Sequence, residues 1–197
     1  MEATEAIITR RSTRRFTGKL PARECLEQIL TAGRHAPSGG NSQTTHFILI
    51  TNREILAELE RIVKEEFSVM EETPGMYRSF AHAIRASKTE RYLYDYEAPV
   101  LIITANQKDY GNNMADCACA LENMMIAANA LDLGSCYINQ LRWLNENEKL
   151  LSKLYELGML PEERVYGALA VGYADTKDGL PVRTPLERTG NPVTYIE

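Results

Sequence analysis

The segment from Arg10 to Arg15 holds four arginines in six residues, the densest group of charged side chains near the start of the chain. Side chains alternate in direction along an extended segment, so Arg10, Ser12 and Arg14 would point the same way there. Two guanidinium groups and one hydroxyl suit a tetrahedral oxyanion, because each guanidinium can donate two parallel hydrogen bonds. The spacing indicates a phosphate-binding site. The alternative is a solvated basic patch that pairs with some of the 27 acidic residues.

A second polar group, Pro37-Ser38-Gly39-Gly40-Asn41-Ser42-Gln43, follows about twenty residues later. Its glycines allow the backbone to approach a flat ligand closely, and its Ser, Asn and Gln side chains can reach ring heteroatoms. The same composition is also typical of an ordinary loop between a helix and a strand.

Several familiar signatures of enzymes are missing from the sequence. It has no GxGxxG, no GxxxxGK[ST] and no GxSxG motif, which disfavours dinucleotide-binding, P-loop and serine-hydrolase proteins of the usual kinds. The four cysteines form no CxxC pair, and the three histidines are scattered. We therefore expect reduced thiols that mostly pack in the core, and no metal site.

Hydrophobic spacing predicts the elements that must position these groups. Helices are expected over 23–34, 53–67 and about 114–133, and buried strands over 46–51, 99–105, 135–139 and 164–173. Asn145, with Glu148 three residues later, predicts the start of a further helix that ends at Gly158. The tail after Tyr173 contains three prolines and is expected to be extended.

The helix over 114–133 is apolar on nearly all sides, with its polar residues confined to two thin stripes. Such a helix is either a central core helix or part of a subunit interface, and the pattern alone favours neither. Gly134 is expected to end it. Strands that alternate with helices, without a repeat or linker, predict one mixed α/β or α+β domain of three layers that spans residues 1–197.

The composition and net charge of the chain disfavour two functional classes. The chain has 44% hydrophobic residues, 25% charged residues and a net charge of −5, which is ordinary for a folded protein and disfavours binding to nucleic acid or anionic membranes. No apolar run is long enough to cross a bilayer, and the first residues do not form a signal peptide, so a cytoplasmic protein is expected.

Five motifs together resemble the nitroreductase family of flavin enzymes: ITRRSTRRF, LEQILTAGRHAPSGGNSQ, TANQ after a strand, LDLGSCYI, and VGYAD followed by PVRTPLE. The resemblance covers nearly the whole chain. It implies an α+β, three-layer fold with a mostly antiparallel central sheet flanked by helices, in an intertwined homodimer that binds FMN at the subunit interface. It also implies a variable segment over 67–98 that forms a lid near the substrate, and an extended C-terminal arm over 174–197.

The resemblance also assigns roles to single residues. Arg10, Ser12 and Arg14 would hold the phosphate and ribityl end of FMN, with Arg11 beside them and Arg183 closing the same pocket. The ring would be covered from the other subunit by a loop that contains Pro37, Ser38, Gly39 and Asn41. A backbone amide within Ile138, Asn139 and Gln140 would face N5 and O4 of the flavin, where an amide donor favours the gain of hydride.

The implied activity is a ping-pong reaction in which NADH or NADPH reduces FMN and an electron-poor acceptor, such as a nitroaromatic or a quinone, is then reduced. No side chain is needed as a catalytic acid or base, because the flavin carries the chemistry. The alternatives are a dehalogenating or flavin-fragmenting enzyme of the same fold, and a non-redox anion or nucleotide binder that uses Arg10–Arg15. Gln43 is followed by Thr44-Thr45-His46, where many family members have Pro-Trp, a difference that concerns the packing on the substrate side.

Overall fold

The computed structural model describes residues 1–197, and a four-stranded antiparallel sheet lies at its centre. The strands are β1 (His46–Ile50), β2 (Val100–Gln107), β3 (Gly134–Ile138) and β4 (Glu163–Gly172), in the spatial order β1-β2-β4-β3. All three pairings are antiparallel, and the register between β2 and β4 shifts once, between Thr104 and Ala105. The mostly antiparallel sheet implied by the resemblance is therefore confirmed.

Seven helices and one short 3-10 turn at Gly39–Asn41 surround the sheet. The helices are α1 (Ala3–Thr9), α2 (Arg23–Arg34), α3 (Arg53–Ser68), α4 (Arg78–Ser87), α5 (Asn113–Ala130), α6 (Gln140–Trp143) and α7 (Glu148–Glu156). None of them is both long enough and apolar enough to cross a bilayer.

The sheet is covered on both faces, because successive residues of a strand point to opposite sides. Helices α2 and α5 cover one face in an apolar cluster of 11 buried residues, which includes Val100 and Ile102 of β2. Helices α3, α4, α6 and α7 cover the other face in a cluster of 25, which includes Leu101 and Ile103. This arrangement of helices, sheet and helices is the α+β, three-layer architecture expected from the sequence.

The arginine-rich segment is extended and lies along β3 and the end of β4. Ser12 forms a parallel bridge with Ser135, and Phe16 forms an antiparallel bridge with Ala174. The Thr13 amide donates to the carbonyl oxygen of Ser135 at 2.8 Å. Gly134 makes this approach possible, since a Cβ there would lie 2.8 Å from the Cβ of Thr13. The extended conformation required by the phosphate-site hypothesis is therefore present.

Two predicted helix boundaries are wrong. Asn147, not Asn145, is the N-cap of α7 and accepts from the Leu150 amide at 3.0 Å. Asn145 instead pairs with the backbone of Val165 in β4 through two hydrogen bonds of 2.7 and 2.9 Å. Gly134 does not end α5 but begins β3; the left-handed residue after α5 is Asp132, with a φ of 63°.

The segment over 67–98 contains α4 and the loop that follows it. Tyr92 and Tyr94 are buried in the larger cluster, and Phe80 stacks on Trp143 of α6 with ring centroids 5.1 Å apart. Most aromatic residues of this segment therefore serve packing. Residues 175–197 form no helix or strand, and their apolar side chains include Val193, Tyr195 and Ile196, which are exposed in the single chain.

Candidate functional site

Arg10, Ser12 and Arg14 lie on the extended segment that runs beside β3, where Ser12 bridges to Ser135, the residue before Cys136. All three side chains are close enough to Cys136 to influence its thiol. Burial raises the pKa of Cys136, and the two arginines and Ser12 oppose the rise, so the thiol is neutral at physiological pH. The alternation predicted for residues 10, 12 and 14 is therefore consistent with the folded chain, in which all three side chains act on the same thiol.

The other two arginines of the segment contact the C-terminal tail. The Arg11 guanidinium donates to the carbonyl oxygen of Thr184 at 2.7 Å, and Arg15 pairs with Asp175 at 2.7 Å. Arg10 has one distant acidic neighbour, Glu122 of α5, at 3.8 Å. Its hydrogen-bond donors are therefore largely available to a ligand.

Arg183 lies at the end of α5. Its guanidinium pairs with Asp132 at 2.6 Å and donates to the side-chain oxygen of Asn129 at 3.3 Å. In the single chain its charge is therefore matched by Asp132, and its contacts do not include Arg10, Ser12 or Arg14.

A wide cavity opens next to Arg14, with a volume of about 870 Å³. The guanidinium carbon of Arg14 lies 6.0 Å from the ring centroid of Tyr96, within the range of a cation–π contact. Tyr96 is held by a left-handed backbone, with a φ of 59°. The remaining lining comes mainly from α4, the loop after it and α6: Arg78, Ser79, His82, Ala83, Arg85, Ala86, Thr89, Arg91, Tyr92, Leu93, Gln140 and Trp143.

The end of β3 and the start of α6 bring Ile138, Asn139 and Gln140 to the same region. Ile138 is buried, and Gln140 lines the cavity. The backbone amide of Asn139 donates to the side-chain oxygen of Gln140 at 3.1 Å. The side-chain oxygen of Asn139 is buried and has no hydrogen-bond partner. Such an acceptor is costly unless a ligand or water supplies a donor.

The loop that contains Pro37, Ser38, Gly39 and Asn41 lies elsewhere in the chain, against the start of α5. The Gly39 amide donates to Asp116 at 3.0 Å, and the Tyr110 hydroxyl donates to the Gly39 carbonyl oxygen at 3.0 Å. Gly40 and Asn41 have left-handed backbones, with φ of 58° and 57°. The loop is therefore fixed in shape, and none of its hydrogen bonds involves the arginine-rich segment.

His46, at the position where the sequence departs from Pro-Trp, joins two strands. Its Nδ1 lies 2.8 Å from a carboxylate oxygen of Glu163, which is 5% exposed. The same oxygen accepts from the Leu160 amide at 2.9 Å. These contacts tie β1 to the start of β4 and give His46 a structural role.

The arrangement fits FMN in three respects. Arg10, Ser12 and Arg14 offer the donors and positive charge that a phosphate needs. Tyr96, next to Arg14, offers a flat surface for a ring. The unpartnered oxygen of Asn139 calls for a donor, which ring N–H groups and ribityl hydroxyls provide.

Sequence analysis did not identify Trp143 or the arginines after Phe67 as part of this region. Arg78, His82 and Arg85 occur at positions i, i+4 and i+7, the spacing of one helix face. That pattern was available in the sequence, but the side to which it points depends on how α4 packs.

Comparison with known proteins gives consistent results. The model of the nitroreductase family matches residues 7–173. A protein from Archaeoglobus fulgidus with the provisional name NADH dehydrogenase/NAD(P)H nitroreductase is 31% identical over 180 residues, which are 90% of this chain and 88% of that protein. A nitroreductase from Bacteroides fragilis, solved with bound FMN, is 33% identical, covers all of both chains and superimposes with a TM-score of 0.88. A protein from Bacillus subtilis named FMN reductase (NADPH) is 26% identical over 97% of this chain and 73% of its own.

Proposed function

This chain belongs to the nitroreductase family, and we propose from that membership and from its own site that it is an FMN-dependent oxidoreductase that uses NADH or NADPH. The proposed acceptor is a small electron-poor molecule, such as a nitroaromatic or a quinone. The observation that carries the proposal is that Arg10, Ser12 and Arg14 alternate along one extended segment, next to a basic, aromatic cavity that Arg14 lines.

When bound, FMN would supply the redox chemistry, and we propose that the nicotinamide donor and the acceptor use the site in turn, as in a ping-pong cycle. The residues of this chain bind and orient it. Arg10 and Arg14 neutralise the phosphate, and Ser12 donates a further hydrogen bond. Backbone and side-chain amides of Asn139 and Gln140 orient the ring, and an amide donor near the site of hydride gain stabilises the negative charge that develops there.

We further propose an intertwined homodimer. Within one chain, the loop that contains Pro37, Ser38, Gly39 and Asn41 has no hydrogen bond to the arginine-rich segment, so a second copy would have to supply it to the ring. Apolar side chains of the tail, including Leu180, Val182 and Leu186, are exposed in the single chain. On α5, Ala115, Ala118 and Cys119 are exposed as well, on the side away from the sheet.

The first test is the absorbance spectrum of the freshly purified protein in the near-ultraviolet and visible range, with the chromophore identified after denaturation. Flavin bands with FMN in the released fraction support the proposal. A protein that stays colourless after incubation with excess FMN contradicts it, and the arginine-rich segment would then bind another anion.

The double variant Arg10→Ala/Arg14→Ala should lose most of its FMN and remain folded, because neither guanidinium packs in the core. The matched control is Arg15→Ala, which removes a neighbouring charge that pairs with Asp175 at the surface. We expect the control to keep its FMN. Equal FMN content in all three proteins would refute the assignment of the phosphate site.

A further inference from the structure

The ionisable acid or base side chains that line the cavity beside the proposed flavin site are nearly all basic, and none is a carboxylate. Its lining includes four arginines, Arg14, Arg78, Arg85 and Arg91, together with His82, and no aspartate or glutamate. The whole chain has a net charge of −5, so this local group of positive charges is opposite in sign to the net charge of the protein. A concave surface lined by one sign of charge raises the local concentration of ions of the other sign.

Three of these basic side chains lie on a single face of α4. Arg78, His82 and Arg85 are spaced at i, i+4 and i+7, whereas Ile84, on another side of the helix, is buried in the larger core. The packing of α4 on α6, through Phe80 and Trp143, turns the basic face toward the cavity. The charges therefore occupy defined positions on a rigid element.

Three of the four arginines, Arg14, Arg78 and Arg91, have no acidic partner. Arg85 pairs with Glu72, and Lys88 just beyond the helix pairs with Glu71 at 3.4 Å. Neither Arg78 nor Arg91 is within ion-pair distance of any carboxylate, although both line the cavity. On an ordinary solvated helix face these charges would be spread around the helix, whereas here they border one open cavity together with Tyr92, Tyr96 and Trp143.

We infer that this cavity receives the acceptor and selects an aromatic molecule that carries an anionic group, such as a carboxylate. Arg78 and Arg91 bind the anionic group, since guanidinium groups pair with a carboxylate through two parallel hydrogen bonds. The half-buried side chain of Trp143 contacts the ring of the acceptor. This inference rests on the proposed function, because the cavity adjoins the FMN site through Arg14 and Gln140.

A pair of acceptors tests the inference: 4-nitrobenzoate and its uncharged analogue 4-nitrobenzamide. With NADH as donor, the FMN-loaded protein should show a kcat/KM for the benzoate about tenfold above that for the benzamide, the size of effect expected from charge-assisted hydrogen bonds. In Arg78→Gln/Arg91→Gln the preference should disappear, mainly through a higher KM for the benzoate, while FMN content stays unchanged. The control Arg61→Gln/Lys88→Gln removes two positive charges outside the cavity and should keep the preference.

Binding is measured separately through Trp143, the only tryptophan of the chain, which lines the cavity. Quenching of its fluorescence should give a lower Kd for the benzoate than for the benzamide, and the difference should vanish in Arg78→Gln/Arg91→Gln. This measurement does not depend on turnover. Equal Kd and equal kcat/KM for the two acceptors in a flavin-loaded, active protein would overturn the inference and leave the proposed function intact.

The 2′-phosphate of NADPH is a second anion that these arginines could bind. If the double variant changes only the ratio of kcat/KM for NADPH and NADH, and not the ratio for the two acceptors, the inference about the acceptor is wrong. Absence of flavin or of any turnover would instead count against the proposed function, and the fluorescence titration would still decide whether the cavity prefers the anion.

Discussion

At the scale of single residues, successive side chains of an extended segment point in opposite directions, so neighbouring arginines have different roles. Arg10 and Arg14 face the pocket with Ser12, while Arg11 and Arg15 contact the C-terminal tail. One short stretch thus carries both the proposed phosphate site and the attachment of the tail. Substitutions at adjacent positions should therefore differ in their effect: those at Arg10 and Arg14 should reduce FMN binding, whereas that at Arg15 should not.

Asp95 offers a test of residue-scale electrostatics. It is 3% exposed, and burial raises its pKa to about 6, although its Oδ1 accepts from the Glu97 amide at 3.1 Å. A carboxyl group whose pKa is higher in the folded than in the unfolded state makes the protein less stable as the pH rises from about 4 to above 6. Asp95→Asn should therefore raise the free energy of unfolding, by about 1 kcal/mol more near pH 8 than near pH 5.

Urea unfolding at the two pH values measures this effect, and Asp109→Asn at an exposed position is the control. A stability gain for Asp95→Asn that is the same at both pH values would mean that ionisation of Asp95 is not its cause.

At the scale of secondary-structure elements, the local hydrophobic pattern predicted most of the helices and strands. Features that depend on contacts between segments far apart in sequence could not be predicted in this way. The four strands were predictable because each is a short apolar run, whereas their order depends on contacts between segments far apart in sequence. Asn145 and Asn147 are both suitable caps, and the contact that decides between them is with Val165 in another strand. The basic residues of α4 recur at helical spacing, so the sequence predicts that they share one face. That this face borders the cavity could not be predicted, because it depends on the packing of α4 against α6.

The contact between the arginine-rich segment and β3 carries an element-scale prediction. In Gly134→Ala the new Cβ would lie 2.6 to 2.8 Å from the side chain of Thr13, so the segment must move away from β3. We expect the Kd for FMN to rise about tenfold while the protein stays folded, since small displacements in a well-packed site are costly. Equilibrium binding of FMN, followed by flavin fluorescence, measures the change.

The rescue variant is Gly134→Ala/Thr13→Gly, which removes the side chain that the new methyl group meets. Recovery of FMN affinity would locate the effect at this contact. If Gly134→Ala binds FMN as tightly as the wild type, the position of the segment does not control the phosphate site.

At the scale of the whole molecule, the last twelve residues of the tail have little to hold them within one chain. Residues 186–197 are exposed throughout and include Leu186, Val193, Tyr195 and Ile196. Apolar side chains displayed together on an extended segment are typical of an interface. The proposed homodimer gives them a surface to cover and explains why the covering loop and the arginine-rich segment do not meet within one copy.

Removal of residues 186–197 should therefore weaken the dimer while leaving the sheet and its helices folded. Light scattering after gel filtration measures the mass across a range of protein concentrations. We expect the full chain to remain dimeric and the shortened chain to shift toward the monomer on dilution, with loss of FMN. A shortened chain that stays dimeric at every concentration would show that the tail is dispensable for assembly.

The central strand β2 has a consequence for cooperativity. Val100 and Ile102 belong to one apolar cluster, and Leu101 and Ile103, between and after them, belong to the other. Because both clusters pack on the same strand, neither can unfold without exposing β2 to solvent. Unfolding of one layer therefore also destabilises the other cluster. Strand β4, the other inner strand, also contributes to both clusters. We therefore expect the backbone amides of β2 and β4 to exchange with solvent more slowly than those of the edge strands β1 and β3, at a rate set by global unfolding of the chain.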